Sequence, residues 1–159
     1  MPYVVYLAGT MTGKHEHFDW RIHAEREFRK VGIHTLSPFR GKSITQLDAT
    51  GNIEFSDYSK LTEGISPNRI VARDYADVRK ADILLANLTE TKDIRPSIGT
   101  ISELAWAYAM QKPVICIVDN TTNENYYKHP FTRVFVHHWV DSIEAGIDAV
   151  IHYWSPVAD

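Results

Sequence analysis

Apolar residues along this chain fall into two rhythms that take turns. Short β-branched and aliphatic runs at Tyr3 to Leu7, Ile83 to Leu88, Val114 to Val118 and Phe135 to Val140, with a briefer one at Ile33 to Leu36, read as strands. Between them the apolar positions recur with helical spacing, over Phe18 to Val31, Pro67 to Lys80, Thr100 to Gln111 and Ser142 to Trp154. The last of these lines up Ile143, Ile147, Val150, Ile151 and Trp154. Strands that alternate with helices indicate βαβ units. The pattern therefore predicts one α/β domain over residues 1–159, a three-layer sandwich of the Rossmann-like or flavodoxin-like kind with a five-stranded parallel sheet and four main helices. Ligands of open parallel sheets bind beyond the carboxyl ends of the strands, so chemistry is expected after Leu7, Leu36, Leu88 and Val118. The stretch Ser37 to Gly64 has weak periodicity, with Gly41, Gly51 and many polar residues. It reads either as a lid or subunit-contact segment or as a plain connection.

Composition narrows the function classes. With 44% hydrophobic residues in 159, the chain can bury a substantial core. Its 17 basic and 20 acidic side chains give a formal charge of −3 without a run of either sign, so no nucleic-acid polymer is expected as a partner. Cys116 lies within Val114-Ile115-Cys116-Ile117-Val118 and reads as a small buried hydrophobe; alone, it allows no internal disulfide. No stretch approaches a membrane span, and the N-terminal residues do not resemble a signal peptide, so a cytoplasmic location without membrane attachment is expected. His15, His17, His137 and His138 have no metal-site spacing, and nucleophile-elbow, Walker and dinucleotide glycine motifs are missing. Neither a metal nor a cofactor is expected.

Three segments carry candidate chemistry. The first strand runs into Ala8-Gly9-Thr10-Met11-Thr12-Gly13, whose amides and threonine hydroxyls suit a phosphate or sugar oxygen, although such turns also serve purely structural ends. Asp74 lies on the helical line from Ile70 to Val78 that should face the sheet. A carboxyl there is either a functional acid or half of a surface ion pair with Arg73 or Arg69. Asp77 reads as an ordinary residue on the polar side, among Arg73, Arg79 and Lys80. In Ser97-Ile98-Gly99-Thr100-Ile101-Ser102-Glu103, Thr100 and Glu103 match a capping box. The competing reading puts Glu103 in the first helical turn, near its positive end, as an ionised carboxylate able to attack an electrophilic carbon.

Together, Tyr6-Leu7-Ala8-Gly9, Arg73-Asp74 ahead of Asp77-Val78-Arg79-Lys80-Ala81-Asp82-Ile83, and Ser97-Ile98-Gly99-Thr100 followed by Glu103-Leu104 and Lys112-Pro113-Val114 resemble the nucleoside 2-deoxyribosyltransferase family. The resemblance is clearest over residues 66–118 and the first strand. It implies that Glu103 attacks C1′ of the sugar, that Tyr6 orients it, and that Asp74 lies near the base and assists its protonation. A retaining double displacement follows. It further implies a nucleoside or nucleotide and a free nucleobase as partners, and a homodimer or larger homo-oligomer. Gly9, Thr10, Thr12, Gly13, Ser97, Gly99 and Thr100 are the expected substrate-binding positions. Transferases of free nucleosides commonly carry an aspartate six residues before the nucleophile; Ser97 stands there instead, as in related N-hydrolases of nucleoside 5′-monophosphates. Transfer to another base, hydrolysis of a monophosphate, and a non-catalytic nucleotide-binding module with Glu103 as a mere cap are the readings carried forward.

Overall fold

The computed structural model describes residues 1–10, 16–38, 66–89 and 97–156, with the side chains of 16–18 excepted. Five strands form one parallel sheet in the order β2-β1-β3-β4-β5. They are β1 (Val4–Gly9), β2 (His34–Leu36), β3 (Ile83–Asn87), β4 (Val114–Ile117) and β5 (His138–Val140). Chain direction across the sheet reverses between β1 and β3. The crevice at the carboxyl ends of those two strands is thus the switch point where ligands of such sheets bind.

Alternation along β1 assigns its side chains to two cores. Val5 and Leu7 face α1 (Glu16–Lys30), α6 (Ile143–Ala149) and the π-helical turn Val150–Trp154, through Ala24, Phe28, Ile147 and Val150. Tyr6 and Ala8 face α2 (Pro67–Lys80) and α3 (Ile98–Ala109), through Val78, Leu104 and Ala107. A fully buried sheet needs apolar residues on both faces, which is why β3 and β4 read as unbroken apolar runs. Cys116 is buried among them, and burial pushes its thiol well above the usual range.

The fold class is the expected one, with differences at element ends. Proline at Pro130 starts a short helix, α5 (Pro130–Phe135), capped by His129, so the run expected to begin β5 at Phe135 starts three residues later. A second short helix, α4 (Glu124–Tyr127), follows β4 and also went unpredicted. The helix expected from Thr100 begins at Ile98, with Ser97 as its cap. Asp77, expected on the polar side, is fully buried one turn beyond Asp74. Among the described residues no helix is long and apolar enough to cross a membrane, and no cluster of His, Cys, Asp and Glu is arranged to hold a metal. Of the stretch Ser37 to Gly64, only Ser37 and Pro38 belong to the described residues.

Gly146 sets how closely α6 sits on the sheet. A Cβ there would lie 2.9 Å from Ile117 Cγ1 and 3.0 Å from Leu85 Cδ1. Gly146→Val should lower stability by about 1–3 kcal/mol through overpacking, read as a drop in urea midpoint with unchanged m. An unchanged midpoint would mean that α6 does not rest on β3 and β4 at this distance.

Candidate active site

The site is assembled by depth as much as by direction. Tyr6 lies three residues before Gly9, the end of β1, and so about 10 Å below the sheet edge. Glu103 is the sixth residue of α3, about 7–8 Å from the start of that helix. Since α3 runs back along the sheet from the same edge, the two side chains meet at matching depth. The Tyr6 hydroxyl donates to Glu103 Oε1 at 2.6 Å, both residues being buried. Burial, then the charges of Glu103 and Asp74, push the phenol far above its ordinary pKa; Arg21 acts in the opposite sense. Tyr6 is therefore a neutral donor at any physiological pH.

Two local expectations about α3 are corrected here. Thr100 is inside the helix and caps nothing; the cap is Ser97, whose Oγ accepts from the Thr100 amide at 3.3 Å. Glu103 is in the second turn, beyond the reach of the favourable end of the helix dipole. A capping box built on Thr100 and Glu103 is not formed. The Ser97 amide donates to the Tyr126 hydroxyl at 2.5 Å, tying the start of α3 to α4.

Asp74 is buried, as the stripe through Val78 required. The ion pair with Arg73 is formed, though not at the surface: Arg73 Nη2 stands 3.7 Å from Asp74 Oδ1 and also donates to the Pro38 carbonyl at 3.2 Å. Both side chains are largely covered, with 30% of Arg73 and 12% of Asp74 exposed.

Gly9 ends β1 with φ +144, a conformation that side chains rarely adopt, and a Cβ there would lie 2.6 Å from the Asn87 carbonyl oxygen. Thr10 follows, buried. Its hydroxyl lies near enough to Tyr126 to affect that phenol but completes no well-formed hydrogen bond among the described residues, and the buried Thr100 hydroxyl likewise finds no partner among them. Gly99 is exposed at the helix start; Thr12 and Gly13 lie outside the described residues.

Arg21 was missed by the sequence reading. It is buried on α1, and its Nε, Nη1 and Nη2 donate to the carbonyls of Leu7, Thr10 and Gly9 at 3.3, 3.3 and 3.0 Å. Burial lowers its pKa to about 10, with Glu103 and Tyr6 opposing, so it is cationic at neutral pH. The signal was available: Arg21, Ala24 and Phe28 share one helical stripe, the same pattern that singled out Asp74. A hollow of about 450 Å³ between Val118, Trp139, Val140 and Ala145 lies at β4 and β5 and contains none of these groups.

Residues 5–139 match the family model described as nucleoside 2-deoxyribosyltransferase. The chain belongs to this family. It is accordingly an enzyme of the deoxyribosyltransferase type, acting on N-glycosidic bonds. The same fold occurs in a 2-deoxyribosyltransferase from Bacillus psychrosaccharolyticus, 20% identical, TM-score 0.58, covering 89% of this chain and 88% of that one. It also occurs in the Clostridium botulinum CMP N-glycosidase BcmB, 18% identical, TM-score 0.58, covering 94% and 99%. A third is the 2-desoxiribosyltransferase from Leishmania mexicana, 15% identical, TM-score 0.64, covering 97% and 100%. No curated protein sequence matches this nucleoside 2-deoxyribosyltransferase family member significantly.

Gly9→Ala should destabilise the protein by more than about 1–3 kcal/mol, because backbone strain adds to a clash with backbone. Thermal melting checks it. A Tm within a degree of wild type would show that the end of β1 tolerates a side chain and that its bend is not fixed by Gly9.

Proposed function

We propose that the chain cleaves the N-glycosidic bond of a 2′-deoxyribonucleoside by a retaining double displacement and passes the sugar to another base. The observation that carries this is the buried hydrogen bond, 2.6 Å, from the neutral Tyr6 phenol to Glu103 at the β1/β3 switch point. Glu103 attacks C1′ as the bond from C1′ to the base nitrogen breaks, and the electron pair leaves with the base. Asp74 delivers a proton to that base. An incoming base then gives its N–H proton back to Asp74 as its nitrogen displaces Glu103 from C1′, inverting the centre a second time. Tyr6 orients the carboxylate through one oxygen. Gly9, Thr10, Gly99, Thr100 and Ser97, together with Thr12 and Gly13, hold the sugar and its 5′ end. The buried hydroxyls of Thr10 and Thr100 support this, since an unmade hydrogen bond costs about 1–3 kcal/mol unless a ligand completes it. The reading treats residues 1–159 as one such domain, working in the cytoplasm as a homodimer or larger homo-oligomer.

A second reading, hydrolysis of a nucleoside 5′-monophosphate with water as acceptor, is favoured by Ser97. Its oxygen is used as the helix cap while its hydroxyl proton is left to donate, and no acidic side chain at that position repels a phosphate. The non-catalytic module has less support, because Ser97 caps α3 and Glu103 is held by the Tyr6 hydroxyl.

Glu103→Gln keeps the volume of the side chain and an acceptor for Tyr6 but removes the nucleophile. Base release should fall by at least about a hundredfold while the melting temperature changes little. Denaturing mass spectrometry of wild type mixed rapidly with substrate should show a deoxyribosyl adduct on Glu103; activity surviving in the variant would sink the assignment. Tyr6→Phe should cost about tenfold to a hundredfold in kcat, the equivalent of one charge-assisted hydrogen bond. Equal activity in Phe and Tyr forms would show that the bond orients nothing. Ser97→Asp decides between the substrates. It should lower kcat/KM for a deoxynucleoside monophosphate at least about tenfold and spare the free nucleoside, since two charges about 4 Å apart repel by roughly 4 kcal/mol at an effective dielectric near 20. An unchanged nucleotide-to-nucleoside ratio leaves the free nucleoside as substrate.

A further inference from the structure

Arg73 adjoins Asp74 on α2, and its guanidinium lies where the carboxyl end of β2 meets that helix. Nη2 donates at 3.2 Å to the carbonyl of Pro38, just past the end of β2, and stands 3.7 Å from Asp74 Oδ1. A guanidinium carries five N–H donors in a rigid fork. Pro38 takes one of them, and Nε is buried with no hydrogen-bond partner among the described residues. A side chain that served only to tie the chain after β2 to α2 would not need to bury a donor unmade, which folded proteins generally avoid. Arg73 also keeps 30% of its side-chain surface exposed, so a ligand can reach it.

Resting on the reading of Asp74 as the acid that protonates the departing base, we infer that Arg73 selects the base: its fork donates to a carbonyl oxygen beside the atom that Asp74 protonates. Asp74 already sets a negative charge beside the guanidinium, so what the fork lacks is an acceptor. A neutral oxygen fits that place better than the second anion a phosphate would bring. Purine edges come in two versions. Guanine and hypoxanthine present N7 and O6, two acceptors side by side, one for the proton of Asp74 and one for Arg73. Adenine presents N7 and an amino group, whose N–H bonds would face those of the fork. As the bond to C1′ breaks, electron density moves into the base and onto O6, where a cationic donor acts most strongly. The substrate class is therefore a 6-oxopurine deoxynucleoside or its 5′-monophosphate, in preference to the adenine counterpart.

Deoxyinosine and deoxyadenosine differ on this edge in the oxygen or amino group at C6. The experiment measures kcat/KM for base release from both, and from their 5′-monophosphates, in wild type, Arg73→Met and Arg73→Lys. Wild type should favour the inosine substrate. Arg73→Met keeps a long side chain without donors and should lower the inosine-to-adenosine ratio at least about tenfold, the loss of one charge-assisted hydrogen bond. Equal losses on the two substrates would overturn the inference, since Arg73 would then act through Asp74 or through the fold. A wild type without the preference, or one that releases pyrimidines alone, overturns it as well. If Arg73→Met does not fold, Arg73→Lys decides: it keeps the charge beside Asp74 and loses the fork, so the ratio should fall there too, and an unchanged ratio overturns the inference. The proposed function fails separately, if wild type releases no base from any nucleoside or nucleotide. Titration calorimetry on the uncleaved deoxyinosine and deoxyadenosine then reads the inference by itself: tighter binding of deoxyinosine that Arg73→Met abolishes supports it, and equal binding overturns it.

Discussion

A carboxyl and a phenol that meet one layer below the sheet edge set the terms for the rest of this site. Tyr6 and Glu103 are 97 positions apart in sequence and 2.6 Å apart in space. For them to meet, β1 must bend at Gly9, α3 must start at Ser97, and the register between the strand and the returning helix must be right to within about one residue. The parallel pairing of β1 with β3 through Gly9↔Asn87 fixes the first of these. Ser97 and its bond to Tyr126 fix the second. A shift of one residue along α3 would turn Glu103 away by about 100° and lift it by 1.5 Å or so.

That depth explains why Glu103 does not work as its local sequence suggests. Thr100-x-x-Glu103 has the letters of a capping box, but one more turn of helix precedes it, because Ser97 is an equally good cap and begins α3 sooner. The carboxyl is then carried down the face of the helix to the phenol. Local pattern identifies the element and its direction; competition between two adequate caps is decided by where the start of the helix finds a partner, here the Tyr126 hydroxyl, twenty-nine residues downstream.

Much of the architecture was legible for a simple physical reason. Apolar runs of a fully covered parallel sheet and the 3.6-residue stripes of its helices are both strong signals, and all five strands and four main helices fall where those signals lie. What escaped was short or non-local. The four-residue α4 and six-residue α5 offer too few turns to show a period, although His129-Pro130 carried the start signal for α5. Among candidate site residues, Tyr6 and Glu103 are brought together, Asp74 is inward as its stripe required, and Thr12 and Gly13 lie outside the described residues. Arg21 went unread because helix α1 is polar overall, with basic and acidic residues on most of its surface, so one more arginine carried no weight until its place in the Arg21, Ala24, Phe28 stripe was considered.

Arg21, Asp74, Asp77 and Glu103 are all charged-type residues set into stripes that face the sheet, and all four are buried. The stripe alone therefore selects them without sorting them. Depth along the sheet does part of the sorting. Every helix of a parallel sandwich returns from the carboxyl edge, so position along the helix converts into distance from the crevice. Asp77 lies about 4.5 Å farther along α2 than Asp74, toward the opposite edge, near the turn into β3. Side chirality does the rest: Tyr6, Asp74 and Glu103 share the face covered by α2 and α3, while Arg21 comes over the end of β1 from the face covered by α1. The fold thus provides two separate surfaces around one strand end, and the division of labour among its buried charges follows from which surface each one occupies.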